Sequence, residues 1–475
     1  MANPILHTPH KRSRIAIFCA SLSIIICFGF AAALPDFRTS IPWLALITGM
    51  ITILIALIHH ITLTTENHLS PWMILGIAAA VRIMFVCRPP ELSDDIYRYI
   101  WDGLRTIKGI NPYAMAPAAV QPHTQEGAHL LSLVNHADLV TIYPPGAQLV
   151  FSVAAALGGS AFIFKSFLAL MDLASCAVIL SLLKRFGKPA VHAILYAWHP
   201  LPILEIAGSG HIDGAGIFFL LMAFYMAESR WSRLGKSTKR WRPCPFFISG
   251  FFYAWSCLVK LFPGVFFPIL LNWIPPKNRH HFFSGALMGG VLLCLPFLNH
   301  IDHMLSTLLH YTRHWEFSGF SFFWLRQLSV SGMAARYILS TIFLTILFTI
   351  WTRVWRQNTA QPHHHTHRAM MAIYGINLSF LFLTPTLHPW YALYLTAILP
   401  FVPRVTGLIL SWSVLLAYAV LIPYALTRTW TENPLATILI WLGPLSSVLI
   451  TGIIRRWHRY GNREDVTRPP PAAGV

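Results

Sequence analysis

The chain has 475 residues, 55% of them hydrophobic and only 11% charged, with a mean hydropathy of +0.57. Soluble domains carry about 25% charged residues, so a water-soluble globular protein is excluded. The net charge of +18 does not mark a nucleic-acid binder, because the bases gather in short loops between apolar runs of about 17–25 residues that can each cross hydrocarbon. The seven cysteines show no Cys-x-x-Cys spacing, so neither a zinc site nor a disulfide framework is expected.

In chain order, Lys11, Arg12 and Arg14 place the N-terminus in the cytoplasm. Apolar runs at 15–34, 43–63 and 71–87 predict three spans, the first retained rather than cleaved as a signal. The third leaves 88–143 as a long outer loop. The run 144–157 is short and is expected to be re-entrant or interfacial. If it crossed, the basic clusters at 184–188 and 230–242 would face outward, against the charge rule. Residues 162–183 then run inward and 190–207 outward, 208–213 turn, and 214–227 return to the most basic loop. Lys260 and Pro263 interrupt 246–273, which predicts a helical hairpin entering and leaving on the cytoplasmic side. Residues 281–298 lead out to a second outer loop, 300–327, and 334–351 lead back to Arg353, Arg356 and a His-rich loop. Spans at 369–383, 390–403, 405–426 and 435–454 complete the set. The expectation is an all-α polytopic membrane protein, one domain over 1–460 with about 12–14 transmembrane and re-entrant helices. A flexible cytoplasmic tail is expected at 461–475.

Sidedness gives the polar motifs meaning. In ELSDDIYRYIWDGLRTIKGINPY, Glu91 to Tyr113, Ser93 can cap a helix that Gly109, Asn111 and Pro112 stop. Asp95, Tyr99 and Asp102 share one face of that helix, and Arg98, Asp102 and Arg105 the adjacent one. The plain reading of Asp94 and Asp95 is that first-turn acids complement the helix dipole. Three other constellations fall on the same outer face: HPLPILEIAGSGHIDG with His199, Glu205, His211 and Asp213; RHWEFSGFSFFW with Arg313, Trp315 and Glu316; and LTPTLHPWY with His388, Trp390 and Tyr391. Taken singly, each ionisable group reads as a satisfied turn or helix end. Their convergence on one face points to function, because such groups at membrane depth are costly. Arg and Lys can hold a phosphate, aromatic rings can stack on sugars, and a carboxylate can take a proton from an attacking hydroxyl.

These motifs resemble the GT-C superfamily of integral-membrane glycosyltransferases, in particular bacterial mannosyltransferase-like members that use a polyprenyl-phosphate sugar. The resemblance runs from Asp94-Asp95 through Asn111-Pro-Tyr113, Tyr143-Pro-Pro, Trp198-His-Pro200, Glu205, Gly210-His-Ile-Asp-Gly214, Lys260-Leu-Phe-Pro263 and Trp315-Glu-Phe317 to His388-Pro-Trp-Tyr391. It covers about 88–400 and implies a GT-C-like bundle. It implies that an acid of the first outer loop is the base, here Asp95 or Asp94, with Asp95 preferred because it faces Tyr99 and Asp102. The implied reaction is inverting transfer of a hexose, mannose at the family level, from polyprenyl phosphate to a lipid or glycan acceptor. The substrate-binding candidates are Tyr97, Arg98, Tyr99, Trp101, Asp102, Asn111, Tyr143, His199, Glu205, His211, Asp213, Lys260, Arg313, Trp315, Glu316, His388, Trp390 and Tyr391. For Lys260 a structural role inside the hairpin weighs as much. No metal or other cofactor is implied, although Asp94, Asp95 and Asp213 offer oxygen ligands for Mg²⁺ or Mn²⁺.

The expected location is the plasma (inner) membrane, with the site facing away from the cytoplasm. The rival functions are a lipid-linked glycan ligase and a lipid or sugar transporter without catalysis. A transporter is expected to show paired broken helices in two repeats, and only one broken hairpin is legible. The tract His363-His-His365 with His367 resembles a metal tract but has no acids beside it and reads as a solvated linker. No nucleotide-binding glycine motif is present, which disfavours a cytoplasmic nucleotide-sugar donor.

Overall fold

Backbone polar groups find no water inside hydrocarbon, so apolar runs must satisfy their own hydrogen bonds as helices. The computed structural model follows that rule. It describes residues 8–65, 67–228, 244–356 and 362–467. Among these there is no strand, and only isolated bridges join Phe317 and Ser318 to Thr386. Seven helices are long and apolar enough to cross a membrane, eight if one bent pair is a single span, and four shorter apolar helices accompany them. The chain is an all-α, multi-pass membrane protein.

Helices α1 (Thr8–Ala32), α2 (Ile41–Thr64) and α3 (Pro71–Val86) lead to the first long excursion. It contains α4 (Asp95–Ile107), α5 (Gln125–Leu133) and α6 (Pro145–Ala156), and ends at α7 (Ala161–Arg185). Lys165, near the start of α7, donates to the carbonyls of Phe85 and Arg88 at the end of α3. Arg82 meets Asp172 at 2.7 Å deeper between the same two helices. The chain therefore leaves and re-enters at one end of the bundle, and 88–161 make no net crossing. Helix α4 lies against α6 at Gly103, where a Cβ would stand 2.4 Å from the Phe151 carbonyl oxygen. Only glycine permits that approach.

The stretch 190–207, expected as one outward helix, is broken. A 3₁₀ turn (Ala190–Ala193), two short helical pieces and a π-helical segment (Ile203–Gly208) replace it. Pro189, Pro200 and Pro202 explain this, since each removes a backbone donor. The pieces from Pro200 to Gly208 meet α8 (Asp213–Ala227) at 118°. Gly210 makes that bend at φ +80°, packed on Ile96 of α4.

Helix α9 (Pro245–Val259), a 3₁₀ turn (Phe262–Phe266) and α10 (Phe267–Trp273) form the hairpin. The Tyr253 hydroxyl donates to the carbonyls of Pro263 and Gly264 and folds the second arm back on the first. Trp273 ends against Phe186 and Phe224, at the far ends of α7 and α8. Lys260 occupies the tip.

Helices α11 (Arg279–Cys294) and α12 (Ile301–His314) are joined by a 3₁₀ turn (Leu295–His300) into a nearly continuous rod. The second outer loop, expected from 300, therefore begins as helix. Pro296 stands in the first turn of the 3₁₀ segment, where a missing donor is tolerated. Helices α13 (Phe320–Gln327), α14 (Gly332–Arg356), α15 (Pro362–Leu383), α16 (Val405–Ser413), α17 (Leu421–Thr427) and α18 (Pro434–Thr467) complete the chain. The expected span at 390–403 is only a 3₁₀ turn (Pro389–Ala392) and a six-residue helix (Leu393–Ile398). Helix α18 extends into the expected tail; residues 468–475, the basic loop at 230–242 and the side chains of His363, His364 and His365 lie outside the described residues.

Candidate active site

A cavity of about 1120 Å³ opens where α4, the loop before α6, the hairpin tip, the end of α12, the HPWY turn and the α17–α18 loop meet. Its wall includes Asp94, Asp95, Tyr97, Arg98, Tyr143, Lys260, Trp315, Glu316, His388, Trp390 and Tyr391. All of these are candidates from the sequence. Asp95 starts α4, and its amide bonds the Ser93 hydroxyl at 3.3 Å. The Asp95 side chain is 19% exposed. Asn135 donates to Asp95 Oδ1 at 2.7 Å and to Asp94 Oδ1 at 3.1 Å. The Tyr143 hydroxyl donates to Asp95 Oδ2 at 3.0 Å and accepts from Tyr99 at 3.2 Å.

The two neighbouring acids are driven apart. Burial pushes the Asp95 carboxyl up, but His211, the Asn135 hydrogen bond, Lys260 and His388 outweigh it and leave the pKa below the usual carboxylate range. Burial and the Asp95 charge raise Asp94. Burial also pushes the His388 imidazole down to about 3, so it faces the cavity neutral. Tyr143 is raised well above a normal phenol, by burial and then by the Asp95 charge, so it remains a donor.

Lys260 lies 3.3 Å from Asp213 Oδ2, with the lysine side chain 23% exposed and the aspartate 2%. Its Nζ is 5.4 Å from the centre of the Tyr143 ring. The hairpin therefore reaches the cavity and carries its lysine there. Aromatic rings line the cavity beside these groups. Trp390 stacks on His388 at 4.3 Å, His388 on Phe317 at 4.8 Å, and Phe317 lies 5.6 Å from Trp430. Tyr311 and Tyr391 share a 2.7 Å hydroxyl contact, and Trp315 stands 4.8 Å from His136.

The other candidates stand away from the cavity wall. Tyr99, Trp101 and Asp102 are buried within the α4 packing. Asp102 accepts from Arg98 at 3.2 Å and from Gln148 at 3.3 Å, while Arg98 also donates to the Leu139 carbonyl at 3.0 Å. Asn111 accepts from the Tyr113 amide and closes the turn after α4. His199 is fully buried, and its Nδ1 accepts from the Leu201 amide. Arg313 is exposed on α12, outside the cavity. Glu205, His211 and Asp213 are buried directly behind the wall.

Several lining groups had escaped the sequence reading: Asn135, His136, Tyr311, Phe317, Tyr418 and Trp430. Asn135 follows a short surface helix with no pattern to mark it. Tyr418 sits in an apolar run, where a phenol reads as core. Phe317 lay inside a recognised motif, WEF, and could have been found.

Comparison with known proteins then adds one finding. A family model described as "Alpha-(1->6)-mannopyranosyltransferase, N-terminal domain" matches residues 30–275. No curated protein and no solved structure matches the chain.

Proposed function

The chain belongs to the alpha-(1->6)-mannopyranosyltransferase family of GT-C-type membrane glycosyltransferases, and on that premise we propose that Asp95 is the general base of mannosyl transfer from a polyprenyl-phosphate donor. The acceptor is a hydroxyl of a lipid or glycan. Its O–H proton passes to Asp95 while its oxygen forms the new bond to the anomeric carbon. The bond from that carbon to the phosphate oxygen breaks, and the electron pair leaves on the phosphate.

The observation that carries this reading is the Asp95 carboxylate, ionised, oriented by Asn135 and Tyr143, and open to a cavity large enough for a sugar. Lys260 is the phosphate partner, a compact cation at the end of a rigid hairpin. Trp315, Trp390 and Tyr391 supply faces for sugar rings. Asp94 shares Asn135 with the base and has the raised pKa of a secondary acid. No metal is invoked, because the Lys260 amine stands beside Asp213 and donors already hold both Asp95 oxygens. The site faces away from the cytoplasm of the plasma membrane: the cavity shares its end of the bundle with 88–161, while Lys184, Arg185, Arg353 and Arg356 sit at the ends of α7 and α14. One catalytic domain spans 1–460.

Asp95→Asn keeps shape and removes proton acceptance. Transfer from a lipid-linked mannosyl donor in membranes is expected to fall about 10²–10⁴-fold, with donor binding little changed. Near-normal transfer by Asp95→Asn beside an inactive Asp94→Asn moves the base by one residue. Near-normal transfer by both overturns the mechanism.

A further inference from the structure

Behind the Asp95 wall lies a chain of polar groups that the reaction as written does not use. Glu205 is fully buried in the π-helical segment. Both its oxygens lie 2.9 Å from the Tyr418 hydroxyl, which has one proton to give. His211 Nε2 approaches Glu205 Oε2 at 3.2 Å, and its Nδ1 lies 4.0 Å from Asp95 Oδ2. The His211 ring is stacked on Trp390 at 4.0 Å, which fixes its plane. Neither Glu205 nor His211 lines the cavity, so neither is placed to touch substrate.

A buried carboxylate served by one phenol is costly unless a cation stands beside it. The other charged or titratable groups facing this cluster are Asp94, Asp213, Lys260, His388 and the phenols Tyr99, Tyr143, Tyr311, Tyr391 and Tyr418. Lys260 is engaged with Asp213, and His388 is neutral. His211 is the group whose second nitrogen faces Glu205.

We propose that His211 is a positioning residue for the transfer reaction: set between buried Glu205 and Asp95, it keeps the Asp95 carboxylate turned toward the acceptor. This rests on Asp95 being the base. While Asp95 is a carboxylate, His211 stands between two anions. When Asp95 takes the acceptor proton, the Glu205–His211 pair remains behind it and the net negative charge of the cluster is removed. Asp95 then returns its proton to water through the open cavity.

The test is the pH profile of kcat/KM for transfer in membranes, measured for His211→Gln, Glu205→Gln, the double variant and Tyr418→Phe. An opposite charge within about 4–6 Å displaces a carboxylate pKa by about one to three units. The acid limb is therefore expected to rise by about one unit or more in His211→Gln and in Glu205→Gln. The double variant moves no further than His211→Gln alone. Tyr418→Phe keeps both titratable groups and moves the limb the same way by less. If Glu205→Gln fails to accumulate, His211→Gln and Tyr418→Phe still decide the question. Lowered rates with an unmoved acid limb overturn the proposal and reduce His211 to packing. Near-normal transfer by Asp95→Asn overturns the base assignment instead, so the two failures are distinct.

Discussion

Replacing Lys260 by Met separates its two possible duties. Its Nζ is 3.3 Å from Asp213, and removing it strands a carboxylate that is only 2% exposed. Breaking a fully buried pair costs about 3–5 kcal/mol. The lysine is 23% exposed, so water already takes part, and the loss of stability is expected at about 1–3 kcal/mol. If Lys260 also holds the leaving phosphate, a further charged hydrogen bond worth about 1.5–3 kcal/mol disappears during transfer. At 1.4 kcal/mol per decade, transfer then falls about 10- to 100-fold. The double variant Lys260→Met with Asp213→Asn has no stranded charge. It is expected to regain thermal stability in detergent while transfer stays low. The assay pairs a melting curve with sugar transfer for both single variants and the double. A double variant that melts and transfers like the native protein would refute the phosphate role and leave Lys260 a structural ion-pair partner.

Five further outcomes follow from the geometry. Gly103→Ala drives a methyl to within 2.4 Å of the Phe151 carbonyl and is expected to lower stability by about 1–3 kcal/mol, whereas Gly29→Ala, with nothing within 4 Å, leaves the melting temperature unchanged. Because the Asp95 pKa lies below the usual carboxylate range and its ionised form is the base, kcat/KM is expected to hold as pH falls to about 4 and to drop only below it. Asn135→Ala removes a bond that favours the carboxylate and moves that drop to higher pH; a profile that does not respond removes Asn135 from the site. Transfer is expected to persist in excess chelator, and complete loss restored by Mn²⁺ or Mg²⁺ would recast Asp94, Asp95 and Asp213 as ligands. In a cysteine-free background, Gln121→Cys and Ser331→Cys are expected to react with an impermeant reagent from outside and Ser237→Cys is not; the reverse pattern inverts the proposed sidedness.

What the sequence could reveal depended on where each signal lived. The α4 helix was legible because acids and stop fall within one short segment; it runs from Asp95 to Ile107, with Asp94 rather than Ser93 in the cap position and no side-chain cap bond. The hairpin was legible too, from Pro263 and a lysine inside an apolar run. Its depth was not: whether Lys260 stops short of the polar face or reaches it depends on how α9 packs, which no local pattern records. The 190–207 stretch was misread as one helix because its hydropathy is continuous while its prolines are not tolerated inside a helix. Arg82, Lys165 and Asp172 are charges inside apolar runs and conspicuous by that alone, yet nothing local in the sequence says what they join. The structure shows them tying α3 to α7 and fixing which end of the bundle the chain re-enters. Residue type alone could not separate wall from backing either. Glu205 and His211 look as much like ligands of a substrate as Tyr97 or His388 do, and only burial distinguishes them.

The cavity wall is drawn from two unequal inheritances. Asp95, Asn135, Tyr143 and Lys260 all fall within the 30–275 region that matches the family model, whereas Trp315, Phe317, Trp390, Tyr391 and Trp430 fall beyond it. On the roles proposed above, the proton and the phosphate belong to the first stretch and the sugar faces to the second. The two meet through side chains, such as the Tyr418 hydroxyl on Glu205 and the Asn111 amide on the Phe297 carbonyl, and the base shares no helix with the aromatic wall. The two halves are nonetheless coupled, because His388 acts on Asp95 and Trp390 stacks on His211, so a change in the carboxyl-terminal half reaches the groups around the base.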